Sequence, residues 1–334
     1  MSTVSGSFDE TLLLDQIVRA DQIMFDDRIK QQFIPRAEVL TVLQNIQNAR
    51  VFSQMSASKK DFDVVVEWMN VCEGTIEENT SCELGGIKSS TNVEEYALTY
   101  ERSWGFTVDE SDFVDNRFDM EESIAKLLLT GDKKLTENVA TYAISRVNTF
   151  LGVNEYTGGK GVVAGTETSI AAAYWNADLM AYFNTAAVIN KFDNPILLSG
   201  FNLYEQIFLA AAKAGNANGK GDPVLFGTIP TYFDLFNIDT VNGEPTTYMI
   251  NTGAIAFANK AYNPDTPQVV NGVFTRYTMR SKFSGLVYDV FYKPECGTND
   301  KVIHNFKMKL KADLFLNPAG CLATNTGILK YVCG

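Results

Sequence analysis

Histidine is nearly absent from this sequence: His304 is the single one among 334 residues. Zinc sites built from closely spaced cysteine and histidine therefore lack their raw material. A Ser-His-Asp or Cys-His hydrolase would have to use His304, which lies in an alternating stretch with no serine or cysteine elbow that can be tied to it. A histidine buried in a core or an interface is the better reading. Cysteine is also sparse. Cys72, Cys82, Cys296, Cys321 and Cys333 form neither a C-x-x-C pair nor an even disulfide framework, which leaves reduced thiols. No run of eighteen apolar residues occurs, and the opening MSTVSGSFDE has neither the basic nor the apolar region of a signal peptide. The expectation is a soluble chain made in a cytoplasm.

Catalytic and cofactor motifs are missing as well. Gly159, Gly161 and Ala164 fit a loose G-x-G-x-x-A, but no strand pattern precedes them as a dinucleotide fingerprint requires. Lys220 after Gly219 lacks the glycine spacing and hydroxyl residue of a phosphate loop. Two N-T-G triplets, Asn251 to Gly253 and Asn325 to Gly327, put an amide where an aspartic protease needs an acid, and an amide cannot serve as base. The 40 acids offer carboxylate pairs for glycoside chemistry without selecting one. Basic residues do not cluster as phosphate binding demands, and the chain is acidic overall. The expectation is therefore no catalytic residue, no cofactor, no metal and no enzymatic activity.

What is present is a marked charge asymmetry. The net charge is −12, and residues 61–122 hold 17 acids against Lys88, Arg102 and Arg117, a local balance of −14. Residues 276–311 hold eight bases against Asp289, Glu295 and Asp300, a surplus of +5. Two such segments attract each other within a molecule or between copies; a solvated acidic face that maintains solubility is the alternative.

The pattern of apolar residues centres on one stretch. From Asp119 to Gly152, Ile124, Leu127, Leu128, Leu135, Val139, Tyr142, Ala143, Val147, Phe150 and Leu151 recur at steps of three and four, which predicts one amphipathic helix of roughly 45 to 50 Å. Asp119 with Glu122 is the expected N-terminal cap and Gly152 the expected left-handed C-cap. Ahead of it, residues 1 to about 58 read as short helices, including Glu38 to Ile46, either as an arm lying on something else or as an ordinary helical subdomain. Phe62 to Trp68 and Tyr96 to Val108 alternate as two strands expected to pair in a long hairpin around a polar tip. Beyond the spine, Thr168 to Asn190 and Leu203 to Ala214 read as helices, and Pro195 to Ser199 and Val224 to Ile229 as short apolar strands. Thr247 to Asn259 reads as a strand interrupted at Thr252 and Gly253. Alternating helices and strands argue for a mixed α/β unit from about 160 to 270. Leu286 to Tyr292 and Val302 to Leu314 then alternate cleanly, with Lys301, Asn305, Lys307, Lys309, Lys311 and Asp313 on the opposite, wet face. The spine helix is the expected cover for the apolar face.

This order of elements, together with stretches such as TTYMINTGAIAFANKAYNP and LFLNPAGCLATNTGILKY, resembles the major capsid proteins of tailed bacteriophages, the Hong Kong ninety-seven (Johnson) fold. The resemblance implies an α+β chain with an N-terminal arm at 1–60 and an extended hairpin loop at 61–110. It further implies a peripheral domain of 111–155 plus 275–334 that carries the spine helix, and an axial α/β domain at 156–274. It implies a structural protein that self-assembles into hexamers and pentamers of an icosahedral shell, enclosing a double-stranded DNA phage genome without reading its sequence. The virion capsid, assembled in a host cytoplasm, is the implied location. Portal, scaffold or decoration proteins are the implied partners, and no membrane is involved. In that family the extended loop lies across a neighbouring subunit's peripheral domain. Some relatives cross-link a loop lysine to a neighbour; Lys88 is the single lysine of this loop, and no matching catalytic glutamate motif accompanies it. The arm begins directly, so any scaffold is expected as a separate protein. Alternative readings are an encapsulin-type compartment shell and a soluble carbohydrate-active enzyme or binding module using Trp68, Trp104 and Trp175.

Overall fold

A computed structural model describes residues 31–47, 49–53, 63–69, 91–113, 117–175, 179–201, 203–205, 229–261, 268–270, 273–281, 283–297, 301–318 and 326–334. In chain order the elements are α1 (Glu38–Asn45), β1 (Ala49–Ser53), β2 (Asp63–Met69), β3 (Thr91–Ala97), β4 (Tyr100–Asp109) and the spine helix α2 (Arg117–Asn148). Then come β5 (Gly161–Ala164), β6 (Glu167–Ile170), α3 (Leu179–Ile189), β7 (Pro195–Ser199), β8 (Thr231–Phe233) and α4 (Asn237–Asn242). The remainder is strand: β9 (Thr246–Asn251), β10 (Ile255–Asn259), β11 (Gln268–Val270), β12 (Phe274–Arg280), β13 (Val287–Cys296), β14 (Val302–Leu316) and β15 (Ile328–Cys333). The class is α+β, as the sequence indicates.

The strands form three sheets. The first is the three-stranded β1-β2-β3. The second is antiparallel, in the order β10-β14-β13-β12-β11, with β4 also paired to β14. The third runs β5-β6-β15-β9-β7-β8, with β6 and β15 parallel and β7 and β8 parallel. Within the second sheet β10 takes up the edge of β14 where β13 leaves it, and Asn259 makes the splice. Its side-chain amide donates to the Val287 carbonyl at 3.2 Å and the Lys311 carbonyl at 2.8 Å, and its Oδ1 accepts the Val287 N–H at 2.6 Å. The side chain thus occupies ladder positions that neither strand fills.

The spine helix spans 32 residues, about 48 Å at the standard rise, and covers the apolar face of the second sheet as expected. Ile124, Leu128, Val139, Ala143 and Val147 share one core with Tyr288, Val290, Phe306, Met308 and Leu310. That core continues into Tyr248, Ile250 and Ile328 on the inner face of the third sheet. The other face of the third sheet packs on α3 through Leu179, Phe183, Leu197, Met249 and Tyr331.

Both expected caps of the spine differ from what is observed. The helix begins at Arg117, so Asp119 lies inside its first turn rather than before it. At the other end Thr149 and Phe150 donate to the Arg146 and Val147 carbonyls, tightening the last turn, and Gly152 hands its N–H to Ile328 at 2.8 Å in place of a left-handed cap. The strand β15 thus replaces the capping residue.

Other expectations are redrawn by long-range pairing. The stretch β2 pairs with β3, while β4, which continues the same alternation, pairs instead with β14 from Tyr100–Ala312 to Asp109–Ile303. The expected hairpin is therefore split at Leu98 and Thr99 between two sheets, and β1 adds a third strand to it. Thr168 to Asn190 is not one helix: Glu167 to Ile170 is drawn into the third sheet by β15, and the helix starts at Leu179. The interruption at Thr252 and Gly253 is observed, with Gly253 at φ 83°, and it sends β9 and β10 into different sheets. The helix expected at 203–214 and the strand expected at 224–229 fall almost entirely outside the described residues. Strands β10 and β11, from the range assigned to the axial unit, lie in the second sheet, and β15, from the range assigned to the peripheral unit, lies in the third.

Two spine positions are specialised. A Cβ at Gly131 would stand 2.5 Å from both Met308 Sδ and Trp104 Cδ1, so glycine is required for the sheet to approach. Asp132 is buried and accepts from Tyr288 (2.7 Å), Ser281 (2.9 Å) and Thr136 (3.2 Å) hydroxyls. Ser281 in turn accepts the Phe283 and Ser284 N–H groups, fixing the turn between β12 and β13.

Gly131→Ala should lower stability by about 1–3 kcal/mol despite the better helix propensity of alanine, because the indole cannot yield as a flexible chain end can; thermal unfolding reads this. Burial pushes the Asp132 carboxyl above its ordinary range against the opposing pull of the three hydroxyls. A group with a raised folded-state pKa favours the fold at low pH and loses that contribution as pH rises through it. Asp132→Asn should therefore raise stability relative to wild type by about 1 kcal/mol near pH 8, the gain shrinking towards about pH 4.

Candidate assembly surface

The side of the second sheet turned away from the spine carries the residues of functional interest. Alternation along β14 places Asn305, Lys307, Lys309 and Lys311 there, and the register sets Phe291 beside Lys307 and Asp289 beside Lys309 on β13. On the other flank Gly105 stands opposite Lys307 and Glu101 opposite Lys311. A groove of about 360 Å³ is lined by Phe274, Phe291, Lys293, Asn305, Lys307 and Lys309. Its floor is aromatic: the Phe274 and Phe291 rings meet edge to face at 5.4 Å, and the Arg276 guanidinium lies 5.2 Å over Phe291. Arg276 is held there by Asp289, at 2.9 Å and 3.2 Å. Lys307 projects into solvent at the rim. An apolar floor with a basic rim suits an extended acidic segment that also carries apolar side chains.

Part of the charge asymmetry is resolved within the chain. Glu101 of the acidic segment binds Lys309 at 2.6 Å and Lys311 at 2.9 Å, and the hydrogen bond from Lys309 holds its carboxyl below the usual range. Glu110 accepts from the Val302 N–H and sits 3.1 Å from His304 Nε2. His304 itself is buried, with Nδ1 2.8 Å from the Tyr292 hydroxyl and the two rings stacked. It ties the turn at Glu110–Phe113 to β14.

The root of the split hairpin is fixed by Asp313. The alternation puts this residue on the wet face, yet it is buried, because Thr99, Tyr142 and Arg146 close over it. It accepts the Thr99 N–H (3.1 Å), the Thr99 hydroxyl and the Tyr142 hydroxyl (2.7 Å), with Arg146 Nε at 3.5 Å. Burial and then the bond to Asp313 push the Tyr142 phenol up to about 12. Nothing in the sequence marks the buried Asp313, Asp132 and Asp234 as structural carboxylates. The one signal is position: Asp313 interrupts an otherwise lysine-rich face.

The tryptophans weighed for carbohydrate stacking are not available for it. Trp68 and Trp175 are buried, Trp175 donating to the Ile170 carbonyl at 3.0 Å, and Lys134 covers Trp104 at 4.1 Å. Of the two N-T-G triplets, Asn251 to Gly253 and the described residues of the second meet as neighbouring turns, Asn251 N–H donating to the Gly327 carbonyl at 2.8 Å. They are connections between sheets. Lys88, Cys72, Cys82 and Cys321 lie outside the described residues. Among the described residues no group of three or more His, Cys, Asp or Glu could hold a metal ion, and no helix is long and apolar enough to cross a membrane.

No protein-family model and no curated protein matches the chain. Solved phage capsid structures do resemble it. The capsid asymmetric unit of cyanophage Pam1 aligns with a TM-score of 0.46 at 9% identity, covering 90% of this chain and 93% of that one. The capsid of cyanophage P-SCSP1u gives 0.44 at 8% identity over 85% and 86%. The mature capsid of bacteriophage PhiM1 gives 0.43 at 10% identity over 81% and 82%.

Asp313→Ala should cost about 3 kcal/mol, since it strands the Thr99 N–H, the Tyr142 hydroxyl and the Arg146 guanidinium together. Hydrogen exchange should show the loss concentrated at residues 98–100 and around Tyr142.

Proposed function

We propose that this chain is a major capsid protein whose copies join as hexamers and pentamers of an icosahedral shell around a double-stranded DNA phage genome, with no bound cofactor and no turnover. The observation that carries this reading is the one-sided second sheet. A single 32-residue helix lies along one face; the other packs on the first sheet at the β10 end, through Ala256, Ala258 and Phe315 against Val64, Val66 and Trp68, and elsewhere keeps an aromatic groove with a lysine rim, a surface suited to cover by another molecule. The acidic segment supplies a matching occupant. Glu73, Glu77, Glu78 and Glu83, with Ile76 and Leu84 among them, belong to residues 61–110 and have no basic neighbour before Lys88. In this reading that loop of one copy lies over the groove of the next, in addition to the pairs that Glu101 makes at home.

The organisation proposed with it is an arm at 1–60, an extended loop at 61–110, a peripheral domain of 111–155 and 275–334, and an axial domain of 156–274. Strands β10, β11 and β15 cross between the last two. The shell would be the virion capsid, built in a host cytoplasm with portal, scaffold or decoration proteins as partners.

Light scattering after size exclusion, with negative-stain imaging, tests the reading. Rings or closed shells of at least several hundred kilodaltons are expected. A single 37.0 kDa species that persists at high concentration would overturn it. Nuclease-protected DNA inside shells distinguishes a genome container from an enzyme-loaded compartment of encapsulin type.

A further inference from the structure

The spine helix, α4 and β9 meet in a closed ring of three hydrogen bonds. Asn148, the last residue of the spine, donates from Nδ2 to Asn242 Oδ1 at 2.9 Å. Asn242 donates from Nδ2 to the Tyr248 hydroxyl at 2.7 Å, and that hydroxyl donates to Asn148 Oδ1 at 2.8 Å. Each member gives to the next and receives from the one before, so the three bonds polarise one another in the same sense. Tyr248 is buried, and burial pushes its phenol up, which keeps the third donor protonated. Asn242 Nδ2 also donates to the Ile238 carbonyl at 2.8 Å. The side-chain amide of Asn242 is therefore held from both ends.

Asn242 is followed by Gly243, and the described residues contain no other Asn-Gly pair. A glycine N–H is the least hindered nucleophile that a preceding asparagine can meet, since no Cβ shields it. Gly243 is exposed, closes α4 at φ 71° and has nothing within 4 Å of the Cβ it lacks. Its N–H is nevertheless committed to the Asp239 carbonyl at 2.8 Å, while the Asn242 amide is turned into the ring. We propose that Asn242 is a self-modifying site, an asparagine that deamidates when the end of the spine leaves the third sheet and is protected while the ring is closed. In the reaction the Gly243 nitrogen attacks Asn242 Cγ, and the new N–C bond forms as the bond to Nδ2 breaks. The displaced nitrogen departs as ammonia with the proton that Gly243 gives up. Water then opens the cyclic imide at either carbonyl, leaving aspartate or isoaspartate and a proton in solvent.

The product cannot rebuild the ring. A carboxylate at 242 has no hydrogen for Tyr248 or for the Ile238 carbonyl, and it sets an oxygen against that carbonyl. It also adds negative charge to a corner where Glu167 and Asp239 already act on Tyr248. Each completed reaction thus leaves the spine less firmly held. This inference stands independently of the shell-forming reading.

Peptide mass spectrometry of the whole chain, aged in mildly alkaline buffer, follows the amide-to-acid mass change at Asn242. Folded wild type should react there at least about tenfold more slowly than the same chain in urea, because only the open fraction reacts. Asn148→Ala removes two bonds of the ring, and Tyr248→Phe removes a single oxygen. Each variant, shown to be folded by circular dichroism, should speed the native reaction by about tenfold. Wild type reacting as fast when folded as in urea, or folded variants reacting no faster than wild type, overturns the guarding role. Asn242→Asp supplies the product directly and should raise hydrogen exchange over the last turn of the spine. Exchange there unchanged from wild type overturns the weakening assigned to the modification.

Discussion

One-sided burial of a single sheet governs the molecule. Strand β14 alternates over most of its 15 residues, so every second side chain from His304 to Leu314 faces the core, and one helix of matching length is laid across them. The match leaves no slack. Gly131 is bare so that Trp104 and Met308 can reach the helix axis, and polar anchors stand at two heights along the spine, Asp132 below and Asp313 near its end. Each anchor ties the helix to a different part of the chain: Asp132 to the turn after β12, Asp313 to the corner after β3. The position of the helix therefore sets where the hairpin departs.

The face left open follows from the same constraint. With the helix committed to one side, lysines, aromatic rings and carboxylates must share the other, and they sort into pairs where the register permits. Arg276 with Asp289 and Glu101 with Lys309 and Lys311 are settled within the chain, while Lys307 beside Phe291 is turned outward. Charge asymmetry along the sequence thus has two outlets, one internal and one open to solvent.

Much of this was legible in the residues because period alone reveals faces. The spacing from Ile124 to Phe150 and the alternation from Val302 to Leu314 each describe one face of one element, and each matches the core observed. What period cannot express is partnership. Phe62 to Trp68 and Tyr96 to Val108 look like two halves of a hairpin, yet the second is claimed by β14 along ten residue pairs, from Asp109 to Tyr100. Thr168 to Ile170 looks like the start of a helix until β15 captures it. The caps failed for the same reason: Gly152 needs no left-handed turn once Ile328 accepts its N–H. The buried carboxylates were invisible because their partners, Tyr288 for Asp132 and Thr99 with Tyr142 for Asp313, are remote in sequence. No spacing rule joins them.

The splicing of sheets also sets a schedule for synthesis. Strand β14 runs between β4 and β13, and β15 between β6 and β9, and both follow every other described strand along the chain. Each sheet therefore waits for its middle. A nascent chain can form the spine helix and short hairpins early, but neither sheet closes until β14 and β15 have left the ribosome, since the pairings they complete are long-range and slow. Surfaces that would attract other copies are thus finished only once β14 and β15 are in place, which separates folding from association in time.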